Sequence, residues 1–211
     1  MSGEPREEYY VETAPFRGFV RSVREIVGTE PDPARAIDRL REPFGRLLRD
    51  EGWLPEQFAR PAERSGMGGG IGSYLLYRNA ERTLSLSSLV VPAGAQTPVH
   101  DHLAWGLVGL YRGEQFEEVF ARRDRGAAPG RADLEVVERR HLRRGEFYDL
   151  LPPDGDIHRV VAANEQPSVS IHLLRNDVGC VRRHAYDPEA QAVRDFRSGY
   201  VNVECPEPVQ R

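Results

Sequence analysis

The chain has 211 residues, of which 39% are hydrophobic and 29% charged, and its formal net charge at pH 7 is −4. This size and composition predict one globular domain with a single core. The mildly acidic balance, with both signs interspersed, gives no electrostatic case for nucleic acid or an anionic membrane as a partner. No apolar run approaches the ~20 residues of a membrane span, and the first ten residues lack the apolar core of a signal peptide. We therefore expect a cytoplasmic protein.

Residues 1–62 carry helical patterns. Apolar residues recur over 16–27 at spacings of three, four and one, as one face of a helix requires. Asp32 followed by Pro33 has the signature of an N-cap and a first helical turn, so a second helix is predicted to begin there. Pro43 can kink or split that helix. The pattern predicts an N-terminal helical segment, residues 1–62, packed on the rest of the chain.

From residue 73 onward the pattern changes to short extended segments, rich in β-branched and aromatic residues and separated by Gly, Pro, Asn and Asp. About nine such segments follow one another without an intervening helical pattern: SYLLYR, TLSLSSLVVP, PVHD, WGLVGLYRG, EQFEEVFAR, LEVVERRHL, GEFYDLL, HRVVAA and SVSIHLL. This predicts a mostly β fold, an antiparallel barrel or two-sheet jelly roll, over residues 73–211. In its C-terminal extension PEAQAVRDF predicts a short helix, and we interpret Cys180 and Cys205 as buried or incidental thiols.

Two histidines lie two residues apart in the stretch TPVHDHLAWGLVGLYRG. On a strand, His100 and His102 point to the same side and Asp101 to the other. Two converging imidazoles suit a divalent transition metal. An isolated pair of this kind fits surface or hydrogen-bonded histidines equally well, so the surrounding residues have to decide.

The surrounding spacing is more specific. The chain contains Gly94-x5-His100-x-His102-x10-Gly113, and later Pro153-x-Gly155-x-x-His158. Over roughly residues 73–175 this resembles the two signature motifs of the cupin superfamily. The resemblance implies a double-stranded β-helix barrel with His100, His102 and His158 as metal ligands. The superfamily commonly has a Glu four or five residues after the second histidine, where this chain has Gly106 and Leu107, so the implied ligands are three neutral nitrogens.

A closer resemblance covers the chain from about Tyr77 to His184. The blocks HDHLAWGLVG, DIHRVV, SVSIH and VGCVRRH, in this order, are similar to the bacterial thiol dioxygenases, relatives of cysteine dioxygenase and 3-mercaptopropionate dioxygenase. The resemblance implies Fe(2+) as the cofactor, with a small carboxylate-bearing thiol and O2 as substrates and a sulfinate as the product. It places Ser170 and His172 on the first two members of a catalytic Ser-His-Tyr triad.

The third member of that triad is missing, because position 174 is Leu174. Another hydroxyl replaces the phenol, or the substrate or the chemistry differs. The candidate replacements are Tyr77, Tyr111 and Tyr148.

Two arginines are candidates for reading a substrate carboxylate, since a guanidinium can bind both of its oxygens. Arg78 resembles the position that cysteine dioxygenases use, and Arg183 the position that the mercaptopropionate branch uses. Having both suggests a substrate with two acidic groups, such as mercaptosuccinate. For each arginine the alternative is a surface salt bridge.

Two other functions stay open. A cupin metalloenzyme acting on a non-thiol small acid, as a dioxygenase or an isomerase, is consistent with Leu174. A non-catalytic cupin that binds a metal or a small molecule is the other possibility. Zinc or nickel would satisfy the same three ligands.

Overall fold

The structure of the chain is a computed structural model that describes residues 6–63, 66–124 and 126–206. The helical and barrel segments expected from the sequence both extend beyond these ranges, and their outermost residues, 1–5 and 207–211, lie outside the description. The described part of the chain contains two α-helices, α1 (Ala14–Thr29) and α2 (Pro33–Arg49). Twelve strands lie in the described ranges: β1 (Glu8–Tyr9), β2 (Gly72–Arg78), β3 (Ser85–Val91), β4 (Val99–His100), β5 (Gly106–Arg112), β6 (Glu114–Arg122), β7 (Leu134–Arg143), β8 (Phe147–Leu150), β9 (Ile157–Ala162), β10 (Ser168–Leu174), β11 (Arg183–Asp187) and β12 (Ala192–Phe196).

The strands form two six-stranded antiparallel sheets that face each other. The first has the order β1-β2-β3-β10-β5-β8, and the second β12-β11-β4-β9-β6-β7. All nine extended segments predicted from the sequence are strands. The predicted mostly β jelly roll with an N-terminal helical segment is therefore confirmed.

The two helices cover the outer face of the first sheet. The Asp32 side chain accepts a hydrogen bond from the Arg35 backbone N–H at 2.9 Å, which confirms the predicted N-cap, and Pro43 lies inside α2 without splitting it. Apolar side chains of both helices and of the sheet share one buried cluster, which includes Phe16, Val20, Leu40, Phe44, Leu48, Leu107, Val169, Ile171 and Leu173. Gly109 permits this close packing, since a Cβ there would lie 2.4 Å from Leu48 Cδ1.

The alternation on β10 then determines what faces the interior of the barrel. Val169, Ile171 and Leu173 belong to the cluster under the helices. The residues between them, Ser170 and His172 among them, point to the opposite face. The polar side chains of this buried strand are thus directed between the two sheets.

Two parts of the sequence-based prediction were wrong. The segment PEAQAVRDF contains no helix, because Ala192–Phe196 forms strand β12 and pairs with β11. The N-terminal segment also contains a short strand, since Glu8 and Tyr9 pair with Arg78 and Tyr77 at the edge of β2. In both places backbone hydrogen bonds to an existing sheet edge outweigh the local preference.

The interpretation of the cysteines as thiols was also wrong. Cys180 and Cys205 form a disulfide across a sequence separation of 25 residues. The bond holds down the C-terminal segment, in which Asn202 exchanges two hydrogen bonds with the Leu75 backbone, each of 2.9 Å. Disulfides are rare in reducing compartments, so the cytoplasmic location stays a prediction. None of the helices in the described ranges is long and apolar enough to cross a membrane.

Candidate metal centre

Three histidines meet inside the barrel. His100 ends β4 and lies directly opposite His158 of β9, and His102 follows two residues after His100. Each offers one ligand nitrogen, and these atoms all lie within 4.8 Å of one another. The ring centroid of His158 lies 4.8 Å from that of His100 and 4.8 Å from that of His102. The three residues that the sequence selected from distant positions are thus brought together.

Each of these rings is oriented through its Nδ1 atom. His100 Nδ1 lies 2.9 Å from the Pro98 carbonyl oxygen, and His102 Nδ1 lies 3.2 Å from Asp156 Oδ1. His158 Nδ1 lies 3.2 Å from the Tyr148 hydroxyl oxygen. With each Nδ1–H donating to one of these oxygens, each Nε2 keeps its lone pair, which is the tautomer that metal-binding histidines adopt.

Burial favours the neutral form of His100 and His102. His100, His102 and His158 are 1%, 2% and 0% exposed. Burial, followed by the charges of His158 and Arg183, holds the pKa of His100 and of His102 well below the ordinary value. His158 Nε2 is buried and has no hydrogen-bond partner among the described residues. An unpaired buried nitrogen beside the two neutral imidazoles of His100 and His102 fits a divalent transition-metal ion.

His102 reaches the cluster for a reason that the sequence did not reveal. Strand β4 ends at His100, so strand alternation does not place His102. The Asp156 carboxylate accepts the backbone N–H groups of His102 and Leu103 at 2.9 and 3.0 Å. The loop before β9 therefore holds the loop after β4, and the two histidine motifs are joined by one buried carboxylate.

No carboxylate can enter the ligand set from the positions where the cupin motif usually carries a Glu. A Cβ at Gly106 would lie 1.9 Å from the Leu173 carbonyl oxygen, so any side chain there is excluded. Leu107 packs in the cluster under the helices, on the other face of β5. Among the described residues the ligand group contains only the three histidines.

Ser170 and His172 lie beside this cluster. Ser170 Oγ is 3.0 Å from His172 Nε2, and the His172 ring centroid is 6.0 Å from that of His102. Burial, followed by the charges of His158 and Arg183, lowers the pKa of His172 to about 3. The pair is therefore a neutral hydrogen-bonded unit at neutral pH. Its catalytic role stays a prediction.

Leu174 makes the neighbouring wall apolar. It packs with other apolar side chains, namely Ala104, Val108, Leu150 and Val178. Of the three candidate replacement tyrosines, Tyr77 and Tyr111 belong to the cluster under the helices, outside the barrel interior. Tyr148 packs against the Leu174 cluster, but its hydroxyl group contacts His158 Nδ1. The Tyr148 phenol therefore orients the ligand candidate His158, and it does not supply a hydroxyl group at the Leu174 position.

Arg183 is buried next to the histidines and is 3% exposed. Its guanidinium donates to the Val178 and Asp101 carbonyl oxygens and to Ser198 Oγ, at 3.2, 2.6 and 2.8 Å. It also lies 4.7 Å from the centre of the Phe196 ring, which is 6.1 Å from His100. Burial lowers the pKa of Arg183 to about 10, so the side chain stays a cation at neutral pH.

Arg78 has a different environment. It is 3% exposed and donates to both carboxylate oxygens of Glu8, at 2.8 and 2.9 Å, and to Asp177 Oδ2 at 3.0 Å. Two carboxyl groups of the chain therefore already take the positions that a substrate carboxylate would need. The substrate-binding role of Arg78 stays a prediction, and its contacts are those of a structural ion pair.

Sequence reasoning missed the acids that surround the ligands. Asp156 and Glu117 are 3% and 1% exposed, and both lie next to a metal-ligand candidate. A signal for Glu117 was available in EQFEEVFAR, because Gln115, Glu117 and Val119 alternate on one face of a strand and Val119 faces inward. The position of Glu117 opposite Val160, two residue pairs from His158, required the strand register.

No protein-family model matches the chain. Among solved structures the chain is similar to an uncharacterized conserved protein with a double-stranded β-helix domain from Klebsiella pneumoniae, at 12% identity over 62% of this chain and 95% of that one, with a TM-score of 0.42. It is also similar to a cupin-like protein from Thermotoga maritima, at 19% identity over 57% of this chain and 77% of that one, with a TM-score of 0.40. A third similar structure is oxalate oxidase in complex with the substrate analogue glycolate, at 17% identity over 60% of this chain and 63% of that one, with a TM-score of 0.41. These similarities carry no information about the metal or the substrate of this chain.

Proposed function

We propose that the chain is an iron(II)-dependent thiol dioxygenase that oxidises a small carboxylate-bearing thiol to its sulfinate with O2. The observation that carries the proposal is the set of three buried imidazoles, each with its Nδ1 atom held by an acceptor. Three neutral ligands leave the full positive charge of a bound cation available to a thiolate. The thiol motif blocks noted in the sequence support the same reaction.

The overall reaction balances without a further reductant. A thiolate and one O2 become a sulfinate, both oxygen atoms are added to sulfur, and the sulfur supplies all four electrons. A ferrous ion held by His100, His102 and His158 would supply the open coordination positions and the redox chemistry. The protein supplies a cation for the carboxylate, a hydrogen-bonded Ser170–His172 pair and the apolar wall at Leu174 that excludes water.

We assign the carboxylate to Arg183, whose guanidinium donates to two carbonyl oxygens and one hydroxyl oxygen and, within the described residues, to no carboxylate. A guanidinium has five N–H donors, so donors remain for a ligand. Arg78, by contrast, is bonded to Glu8 and Asp177. One remaining arginine favours a thiol with a single carboxylate over the dicarboxylate mercaptosuccinate.

Replacing Arg183 with Gln is expected to raise KM for 3-mercaptopropionate roughly 10- to 100-fold, the loss of one charge-assisted contact of about 1.5–3 kcal/mol. Turnover of cysteamine, a thiol without a carboxylate, should change little. Steady-state oxygen uptake with both thiols measures the difference. Arg182→Gln is the matched control, because Arg182 is the adjacent residue and its side chain is 68% exposed. Equal losses with both thiols would contradict the assignment.

A second candidate is a metalloenzyme for a non-thiol small acid, and Leu174 favours it. The apolar wall lacks the phenol that thiol dioxygenases place there, so a ligand without polar groups at that point would fit as well. A non-catalytic metal-binding module is the third. One experiment separates the three.

The Fe(II)-loaded protein is mixed with cysteine, 3-mercaptopropionate, cysteamine, mercaptosuccinate and thiol-free analogues in an oxygen electrode, and the products are identified by mass spectrometry. One sulfinate formed per O2 consumed supports the proposal. Oxygen uptake with a thiol-free acid, without sulfur oxidation, supports the second candidate. Metal and ligand binding without any turnover supports the third.

A further inference from the structure

Glu117 is a buried acid that packing alone does not explain. It lies on the inward face of β6, and its side chain is 0% exposed. Its neighbours on the same face are Gln115 and Val119. A buried carboxyl group costs free energy relative to an apolar residue of similar volume unless its surroundings compensate it. A position like this therefore indicates a partner that needs the carboxyl group.

Hydrogen bonds connect Glu117 to His158. Gln115 Nε2 donates to Glu117 Oε1 at 2.8 Å, and the Tyr148 hydroxyl group donates to the same oxygen at 3.2 Å. Since the Tyr148 hydrogen is used in this way, its oxygen is left to accept from His158 Nδ1, 3.2 Å away. The chain of donors runs from His158 through Tyr148 to Glu117, and in the neutral imidazole it leaves the lone pair on His158 Nε2.

The second carboxyl oxygen of Glu117, Oε2, also lies close to His158. Glu117 Oε2 has no hydrogen-bond partner among the described residues, and it lies 3.7 Å from His158 Nδ1. The arginine opposite in the strand register, Arg140, donates instead to both oxygens of Glu138 at 2.7 Å. Its guanidinium lies over the Tyr148 ring at 4.4 Å. Arg140 thus contacts the Tyr148 ring and makes its hydrogen bonds to Glu138, not to the Glu117 carboxyl group.

We propose that Glu117, acting through Tyr148, is a positioning residue for metal binding by His158. It fixes the ring orientation and increases electron donation from Nε2. It also supplies, one layer outside the ligands, the negative charge that a carboxylate ligand provides in the usual cupin set and that Gly106 and Leu107 cannot provide here. The inference rests on the proposed metal site, but not on the identity of the substrate.

The test measures the metal itself. The purified 211-residue chain is titrated with Co²⁺ by calorimetry, and the visible absorption of the bound ion is recorded. Glu117→Gln keeps the shape and the hydrogen bond from Tyr148 but removes the carboxylate, and it is expected to weaken Co²⁺ binding about 10- to 100-fold and to shift the absorption bands. Glu114→Gln is the matched control, since Glu114 lies on the same strand with 41% of its side chain exposed. It should leave both quantities unchanged.

Coupling between the two residues separates positioning from simple destabilisation. If Glu117 acts through Tyr148, the double variant E117Q/Y148F should bind Co²⁺ no more than a few-fold more weakly than the weaker single variant. Effects that multiply would overturn the proposal, as would wild-type affinity and spectrum in E117Q. Should E117Q fail to fold, Y148F alone must weaken binding at least about 10-fold, and unchanged binding then overturns the proposal.

The outcome also separates this inference from the proposed function. Wild-type protein that binds neither Co²⁺ nor Fe²⁺ would overturn the metal site and, with it, both proposals. Wild-type protein that binds Co²⁺ with an unaffected E117Q variant would overturn only the role of Glu117. Weakened Co²⁺ binding in E117Q, together with no thiol oxidation by the Fe(II)-loaded wild type, would support Glu117 and overturn the thiol dioxygenase.

Discussion

His100→Ala is expected to abolish iron loading and oxygen uptake together. The variant removes one of three nitrogens that lie within 4.8 Å of one another, and no other side chain in the described ranges joins this ligand group. The loss in metal affinity should be much larger than the ~100-fold loss expected when a hydrogen-bond partner of a metal ligand is removed. Metal content after desalting, calorimetric titration with Fe²⁺ under anaerobic conditions and oxygen uptake with 3-mercaptopropionate are the measurements.

His141→Ala is the control for this variant. His141 lies on β7, bonds to Glu114 at 2.8 Å and has 32% of its side chain exposed, so it should have no effect on metal content. Stoichiometric iron and retained turnover in His100→Ala would overturn the ligand assignment. Loss of iron in both variants would indicate that the protein loses metal for another reason, and the assignment would fail.

Arg78→Met is expected to lower the free energy of unfolding by about 3–5 kcal/mol, because it removes the cation from a buried ion pair and leaves the carboxylate without its partner. Asp177 is 2% exposed, and apart from Arg78 its side chain is bonded to the Tyr200 hydroxyl group at 2.9 Å. Urea denaturation monitored by circular dichroism measures the change. In the folded variant KM for 3-mercaptopropionate should stay within a few-fold of wild type.

The matched control is Arg46→Met. Arg46 pairs with Glu42 on the surface of α2, with side chains 70% and 72% exposed, and such pairs contribute at most about 1 kcal/mol. Unchanged stability of Arg78→Met, combined with a large rise in KM, would restore the substrate-binding role that the sequence suggested. A similar loss of stability in both variants would show that the buried pair is not special.

Most of the architecture was predictable because strand and turn residues alternate clearly from residue 73 onward. The β12 segment was not predictable, since PEAQAVRDF consists largely of good helix formers and becomes a strand only by pairing with β11. The disulfide was missed because 25 residues separate its cysteines, and only the fold brings the loop after β10 to the C-terminal segment.

The candidate site divides in the same way. His100, His102 and His158 were identified from spacing, because a metal restricts both residue type and separation. Spacing says nothing about buried acids, whose usual place is the surface. Glu117 was therefore located only by the strand register, and Asp156 only by its hydrogen bonds to the loop after β4. For Arg78 the sequence suggested a ligand contact, whereas the fold provides Glu8 from a strand that lies 70 residues earlier.

Asp101, which lies between the ligand candidates His100 and His102, should affect the kinetics of metal binding. Asp101 is 2% exposed and accepts the His184 backbone N–H, His184 Nδ1 and the Tyr186 hydroxyl group at 2.8, 2.6 and 2.9 Å. The backbone between His100 and His102 is therefore held from behind before any ion arrives. A metal site that is already ordered before the ion binds loses little conformational entropy on binding. Association with a metal ion should accordingly be a single fast phase, without a slow rearrangement, and amide hydrogen exchange of β4 and β11 should be nearly the same before and after loading.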